Sequence, residues 1–370
     1  MKRIVAGLFF ALILLYNGGA KAENAGAYIL MEAETGRVLY AHNAHAALPM
    51  ASTTKIMTAL LALERGNLSD PVTASRNAFG VPGTSIYLSE GETLSLEEML
   101  YGLMLASGND AAVAIAEHIG GSVSAFCQMM TERAEEIGCE NTLFATPHGL
   151  PADHHHTTAW DLAMITREAM KIPMFRQIVS TQRATIPWAG HDYNRVLTNK
   201  NKLLSTYPGA TGVKTGYTKA AGRCLVFTAE RDGLSLIGVV LNCPDWFNES
   251  AALLDKGFEN WQMVTLLSKG EAVRESPVEN GVKESVVIRA ARDASAPVPV
   301  DSWPDMKIDL PDILPAGVQE GDIIGSLSLL DKGEVIAEIP LYVSESVEES
   351  TFRHFLSRIF ACWPFQAAGE

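Results

Sequence analysis

The feature that most constrains this chain is the order in which its apolar patterns occur. Ala27 to Met31 and Arg37 to Tyr40 are short apolar runs around Glu34-Thr35-Gly36, which predicts a hairpin with glycine at the turn. Strand patterning then stops and returns only at Val213 to Tyr217, Arg223 to Ala229 and Leu234 to Leu241, with Asp232-Gly233 as a turn between the last two. The intervening stretch is helical. Ile56, Met57, Leu60, Leu61 and Leu63 recur at helix period after Ser52, and Leu96, Met99, Leu100, Leu103 and Met104 do so after a Ser95-x-x-Glu98 capping box. Further helices are predicted from Asp110 to Ile119, stopped by Gly120-Gly121, from Val123 to Ile137, and from Glu249 to Trp261. The chain therefore reads as α/β: an antiparallel sheet assembled from both ends of a domain around an all-helical insert.

With 47% hydrophobic residues in 370, the chain can fill one large core and a smaller companion. From Ser276 the texture changes to short apolar runs, Val286-Val287-Ile288 and Leu327 to Tyr342, around a proline-rich stretch, which predicts a small β-rich domain. The N-terminus orders Met1-Lys2-Arg3, an apolar run from Ile4 to Tyr16, and Gly18-Gly19-Ala20-Lys21-Ala22, the pattern of a secretory signal cut after Ala22; a spanning helix needs about 20 apolar residues. At the other end Phe352, Phe355, Leu356, Ile359 and Phe360 share one helical face and Arg353 and Arg358 the other, after an acidic stretch from Glu345 to Glu349. The expected division is a signal over 1–22, a catalytic domain over 23–270, a β-rich domain over 276–344, and an acidic linker with an amphipathic, membrane-surface helix over 345–370. The alternative is that the tail face packs on the β-rich domain as ordinary core.

A formal charge of −14 argues against a nucleic-acid partner, because phosphate affinity needs clustered Lys and Arg. Cys127, Cys139, Cys224, Cys243 and Cys362 include no C-x-x-C pair, so no zinc site and no cofactor are expected. Cys224 and Cys243 could bridge across the hairpin or serve as two small apolar core residues. His154-His155-His156 is not read as a metal site, because three successive side chains cannot converge on one ion from a regular backbone.

Three short motifs stand in order: Ser52-Thr53-Thr54-Lys55, Ser107-Gly108-Asn109 and Lys214-Thr215-Gly216. Singly they are weak, since a Ser-x-x-Lys arises about once by chance in a chain of this length. Ser52 and Lys55 lie one helical turn apart, which brings an amine near a hydroxyl; taken alone, Ser52 is equally an N-cap and Lys55 a solvated lysine. Ser107-Gly108-Asn109 falls at a helix–helix junction. Lys214-Thr215-Gly216 lies on a strand, where its glycine would let a ligand backbone approach.

With Pro147-His148-Gly149-Leu150, Thr158-Ala159-Trp160-Asp161-Leu162-Ala163 and Lys214-Thr215-Gly216-Tyr217-Thr218, these motifs make the chain resemble the serine penicillin-recognising enzymes, and among them the low-molecular-mass D-alanyl-D-alanine carboxypeptidases. The resemblance implies a β-lactamase/transpeptidase-like domain and removal of the terminal D-alanine from peptidoglycan stem pentapeptides at the outer face of the cell membrane, with covalent inhibition by β-lactams. It implies Ser52 as nucleophile, Lys55 as its base, Ser107 as a relay to the leaving amine, and Asn109, Lys214, Thr215, Gly216 and Tyr217 as substrate-binding residues. The backbone N–H groups of Ser52 and Tyr217 would form the oxyanion hole. Lys55 must be neutral to act, and both burial and the charge of Lys214 would lower its pKa.

One position departs from the family. Many relatives carry a carboxylate-binding arginine before the last helix of this domain, where this chain has Asp245-Trp246-Phe247; carboxylate anchoring then rests more on Lys214 and Thr215, or on Lys200, which precedes the strand in Asn199-Lys200-Asn201. A β-lactamase is disfavoured because Glu168 lacks a Glu-x-x-x-Asn context and the middle motif is not Ser-Asp-Asn. A catalytically dead scaffold is disfavoured because all the motif residues are intact.

Overall fold

A computed structural model describes residues 24–350. The expected signal, the amphipathic tail and Cys362 lie outside the described residues.

The first strands form the expected hairpin, β1 (Ala27–Glu32) and β2 (Val38–His42), with Gly36 at φ +76° in its turn. Six helices of six residues or more follow: α1 (Lys55–Arg65), α2 (Leu96–Tyr101), α3 (Asn109–Gly120), α4 (Val123–Ile137), α5 (Ala159–Met170) and α6 (Pro173–Ser180); the insert is not wholly helical, since Pro71–Thr73 pairs with Thr93–Ser95 and Arg183–Ile186 with Arg195–Thr198 in two small hairpins. The Ser95 hydroxyl accepts from Glu98 N–H and the Glu98 carboxylate from Ser95 N–H, completing the capping box that starts α2. The chain then returns as β3 (Ala210–Thr218), β4 (Gly222–Arg231) and β5 (Leu234–Leu241), followed by α7 (Trp246–Asn260).

The sheet is antiparallel in the order β2-β1-β5-β4-β3, so strands from the two ends of the domain meet where Ile29 pairs with Val239. Strand alternation divides the side chains. Ile29, Val226 and Val239 join the helical insert in the larger core, while Leu30, Leu225, Phe227 and Val240 face Leu253 and Leu254 of α7. Both sheet faces are covered, which is why Leu234 to Leu241 reads as a nearly continuous apolar run. The strand β3 is left at one edge, against the helical insert.

Two expectations need correction. The chain enters the second unit at Trp261: β6 (Trp261–Leu267) follows α7 directly and pairs with a later strand, β9 (Ala294–Pro299), so the first domain does not extend to 270. The apolar Trp261-Gln262-Met263-Val264 continues the preceding helical pattern and hides the change. Between them come β7 (Ala272–Glu279) and β8 (Ser285–Ala290), and after them β10 (Asp305–Asp309), β11 (Ile323–Asp331) and β12 (Glu334–Val343). These pair in the order β10-β11-β12-β8-β7 over a core of Ile288, Leu327, Leu329, Ile339 and Leu341.

Second, Glu345 to Glu349 is not a free linker. Val347 is 1% exposed and donates its N–H to Val318 O at 3.0 Å, Val282 N–H donates to Glu348 O at 2.9 Å, and Lys283 pairs with Glu345. One apolar anchor inside an acidic run is enough to dock it. Of the two readings open for Cys224 and Cys243, the thiols are free, one in the core facing the helical insert and the other in the core facing α7. On opposite faces of the sheet they cannot bridge, and the small-core-residue alternative holds.

Arg37 ties the β1–β2 hairpin to the second unit, donating to Pro297 O at 2.6 Å, pairing with Asp331 and stacking 4.8 Å from the Trp261 ring centroid. Among the described residues no helix is long and apolar enough to cross a membrane, and no acidic, histidine or cysteine cluster could hold a metal ion.

Candidate active site

Ser52 sits in a tight 3-10 turn, Ala51–Thr54, that leads straight into α1 with Lys55 as the helix's first residue. The turn begins with Ala51 in the left-handed region at φ +50°, a conformation that costs an alanine about 1 kcal/mol or more. Surrounding contacts hold it there. Thr53 and Thr54 hydroxyls donate back to Met50 O (2.6 Å) and Ala51 O (2.8 Å), and a side chain at Gly149 would lie 1.8 Å from Ala51 O, so only glycine fits against the turn.

His155 is the unanticipated part of this support. Ala145 N–H donates to its Nδ1 at 3.0 Å, so the ring proton is on Nε2, which donates to Thr54 Oγ1 at 2.9 Å. Burial first, and then the charge of His156, push its pKa down to about 4 and keep it neutral. His154 stays exposed and His156 is half-exposed, so the histidine run is one buried brace with flanking loop residues.

The Lys55 side chain is fully buried. Its Nζ lies 3.2 Å from Ser52 Oγ and donates to Asn109 Oδ1 and His148 O, each at 2.7 Å. Burial is the main force lowering its pKa well below the ordinary lysine value, reinforced by the charges of Lys214 and Lys200 and opposed by Asp110. In the neutral amine two hydrogens go to the two carbonyl oxygens. The lone pair is then left facing the Ser52 hydroxyl, the arrangement a general base requires. The Pro147-His148 segment that supplies one acceptor is itself fixed to α1 by Thr58 Oγ1 donating to Pro147 O at 2.6 Å.

The middle motif follows a π-helical turn, Gly102–Ala106, and Ser107 turns the chain at φ +64° before α3 begins. Ser107 Oγ is buried with no hydrogen-bond partner among the described residues, unusual for a hydroxyl. Asn109 spends its oxygen on Lys55 and one amide hydrogen on Pro82 O at 2.6 Å. Asp110 collects the N–H groups of Ile86 and Leu88 (3.1 Å each) and the Ser85 hydroxyl (2.6 Å), pinning the 82–88 loop beside the motif.

The third motif lies on β3. Lys214 and Thr215 are 1% and 6% exposed, and Lys214 Nζ donates to Thr215 O at 3.3 Å. Burial, then the charge of Lys200, bring the Lys214 pKa down to about 7. Gly216 serves a closer approach than expected. A Cβ there would stand 3.0 Å from Ser52 N, 3.1 Å from Met50 O and 3.1 Å from Thr53 N, so it is the chain's own Ser52 turn that comes up to this strand. The next residue, Tyr217, keeps its side chain 63% exposed, and Lys200 is exposed on a segment tied to β3 by Asn201 Nδ2 donating to Gly212 O at 2.7 Å.

Direct contact thus joins Ser52, Lys55, Asn109 and Gly216, while Lys214 and Lys200 act on Lys55 by charge. Ser107 Oγ hydrogen-bonds to none of these side chains. His148, Gly149, His155 and the Pro82 carbonyl were not anticipated as parts of the site. The Pro147-His148-Gly149-Leu150 motif was the only signal that could have pointed to any of them.

Residues 18–245 match the family model described as D-alanyl-D-alanine carboxypeptidase, and residues 261–349 match the C-terminal domain of penicillin-binding protein 5. The chain is 33% identical to D-alanyl-D-alanine carboxypeptidase DacF of Bacillus subtilis, covering 98% of this chain and 99% of the relative. It is 32% identical to D-alanyl-D-alanine carboxypeptidase DacC of Escherichia coli over 90% of this chain and 86% of that one. The crystal structure of penicillin binding protein 5 from Haemophilus influenzae superposes with a TM-score of 0.76 at 31% identity, covering 88% of this chain and 98% of that one. A buried lysine set against a serine, on a sheet closed around a helical insert and followed by this β-rich unit, is accounted for by one conclusion: the chain belongs to the D-alanyl-D-alanine carboxypeptidase family of serine hydrolases.

Proposed function

We propose that Ser52 attacks the carbonyl of the penultimate D-alanine of a peptidoglycan stem pentapeptide, with Lys55 taking the hydroxyl proton. The C–N bond breaks, the proton passes through Ser107 to the departing D-alanine amine, and water then hydrolyses the Ser52 ester. The Ser52 and Tyr217 N–H groups hold the oxyanion, Asn109 holds the substrate amide, and Lys214, Thr215 and Lys200 attract the terminal carboxylate. The observation that carries this reading is the buried Lys55 amine 3.2 Å from Ser52 Oγ, its hydrogens directed to Asn109 Oδ1 and His148 O. The same serine accepts β-lactams as acyl donors.

Export fits a wall substrate and the leader-like pattern of residues 1–22, and the amphipathic pattern from Phe352 onward fits attachment to the membrane surface.

The test is labelling by fluorescent penicillin alongside D-alanine release from a pentapeptide. Ser52→Ala is expected to lose both while keeping its thermal midpoint, and Lys55→Ala to lose acylation. Retained labelling of Ser52→Ala would sink the mechanism.

A further inference from the structure

We propose that Tyr87, Trp188, His191 and Tyr193 form an aromatic ledge on the rim of the cleft that binds the amino-sugar rings of the glycan strand from which the stem peptide hangs. This deepens the acyl-enzyme function proposed for the site and rests on it. Trp188, His191 and Tyr193 occupy the loop of the small hairpin Arg183–Ile186/Arg195–Thr198, with ring centroids 4.4 Å (Trp188 to His191), 5.1 Å (His191 to Tyr193) and 5.7 Å (Trp188 to Tyr193) apart. Tyr87 belongs to the 82–88 loop that Asp110 pins beside the middle motif. Tyr87 and Tyr193 are 72% and 61% exposed, His191 is exposed and Trp188 half-buried, and clustered exposed apolar surface of this kind marks binding sites. Buried groups hold the display in place. Glu92 and Arg195, their side chains 1% and 3% exposed, pair at 2.7 Å, and Glu92 also accepts from Ser89 N–H at 2.9 Å. Arg195 donates to Pro187 O at 2.8 Å and to Tyr87 O at 3.1 Å, and its guanidinium braces the Trp188 ring 5.1 Å from the centroid. A buried ion pair adds little stability over apolar packing; this one fixes the two ring-bearing segments against each other. Tyr87 itself stands between the buried Ile86 and Leu88 at φ +60°, a conformation that costs a bulky residue about 1 kcal/mol or more and turns its ring outward.

The ledge adjoins the reacting atoms on both sides. Ile86 and Leu88 N–H groups donate to Asp110, its neighbour Asn109 accepts from Lys55, and Lys55 Nζ lies 3.2 Å from Ser52 Oγ. The hairpin's second strand, Arg195–Thr198, runs into Lys200, whose charge bears on Lys55. A pentapeptide spans about 17 Å when fully extended, so a stem with its last residues at Ser52 carries its sugar end out to the rim. The chemistry of the ledge suits a pyranose better than an acyl chain. One face of an amino sugar is a patch of C–H groups that packs on the electron-rich face of an indole or phenol, while its hydroxyl and acetamido groups need polar partners at the edge. Asp192 and Asn194, both exposed, flank Tyr193 and supply acceptors and a donor there. Under lipid the same two side chains would lose their water without replacement.

The experiment compares the full-length enzyme with a Trp188→Ala/Tyr193→Ala double variant on a glycan oligomer bearing stem pentapeptides and on the free pentapeptide. The double variant is expected to lose roughly 10-fold in kcat/KM on the glycan-linked substrate, chiefly through KM, and to match the wild type on the free peptide and in penicillin acylation. Tyr193→Ala alone should show part of the loss, and Tyr193→Phe, which keeps the ring face, almost none of it. Equal losses on the two substrates, no loss on either, or a wild-type enzyme with no preference for the glycan-linked form would each overturn the proposal. So would a double variant that keeps the glycan preference but no longer sediments with phosphatidylglycerol vesicles, since the ledge would then be a lipid contact. Should the double variant not fold, Tyr193→Ala decides on the same ratio: a reduced preference supports the ledge and an unchanged one overturns it. Failure of the acyl-enzyme function would show separately, as absent penicillin labelling of the wild-type protein.

Discussion

Replacing Gly216 with alanine tests whether the site depends on how closely β3 approaches the nucleophile turn. The new methyl carbon would meet three backbone atoms, Ser52 N, Met50 O and Thr53 N, at 3.0–3.1 Å, against about 3.4 Å where ordinary contact begins. None of the three belongs to a flexible side-chain end, so strand and turn must part by a few tenths of an ångström. Overpacking of this kind costs about 1–3 kcal/mol, which for a domain of this size lowers the thermal midpoint by roughly 2–12 °C. The effect on chemistry is the more telling one. A 1 Å misplacement of reacting groups costs about 100-fold, so a displacement of a few tenths predicts roughly a 10-fold slower acylation, equivalent to about 1.4 kcal/mol in the barrier. Stopped-flow acylation by a chromogenic cephalosporin, measured well below the melting transition, separates the two effects. Wild-type acylation in a protein with a native midpoint would refute the argument that this contact sets the distance between Ser52 and the strand.

Neutral His155 and His148, both with pKa brought down to about 4 from 6.5, contribute stability that is present above pH 6.5 and lost as pH falls toward 4, on the order of 3 kcal/mol each. Urea midpoints at pH 7 and 4.5 should therefore diverge strongly in the wild type and by about half as much in His155→Gln; equal divergence would remove His155 from the account. Because Lys214 loses its proton as pH rises through about 7, KM for a carboxylate substrate should climb above that pH while KM for the corresponding amide stays flat. Lys200→Gln removes a neighbouring positive charge and should move this limb to higher pH, and an unmoved limb would contradict the assignment. Truncation after Ser350, which preserves the docked Val347, should abolish sedimentation with anionic liposomes and leave pentapeptide hydrolysis intact; a truncated protein that still sediments would place lipid attachment elsewhere.

Much of this architecture was legible because periodicity reports which face of an element is covered. The hairpin at Gly36, the capping box at Ser95, and the return of strands at Val213 all follow from local patterns. The motifs were legible too, since serine, lysine and glycine at those spacings have few other joint uses. What escaped were contacts that carry no period. A main-chain oxygen at His148 and an imidazole at His155 become functional only after distant segments close on α1. Lys55 reads from sequence as a surface residue or a base, and only packing from every side reveals how strongly burial suppresses its charge. The start of β6 and the docking of Val347 were missed for the related reason that a single strand or anchor does not change composition.

Joining the two ends of the domain in one sheet sets the sequence of events in folding. The helices between β2 and β3 are local and can form early, but β1 keeps one edge unpaired until β5, at Leu234–Leu241, has been made and delivered. Pairings of such long range are slow steps. Until β3 settles against the Ser52 turn, Lys55 is hydrated, distant from Lys214, and protonated like any lysine in water. On the mechanism proposed above, reactivity toward penicillin would therefore appear with closure of the sheet rather than with formation of the helices. A nascent or partly unfolded chain would carry the complete triplet of motifs without the buried amine, and acylation would then report closure of this sheet.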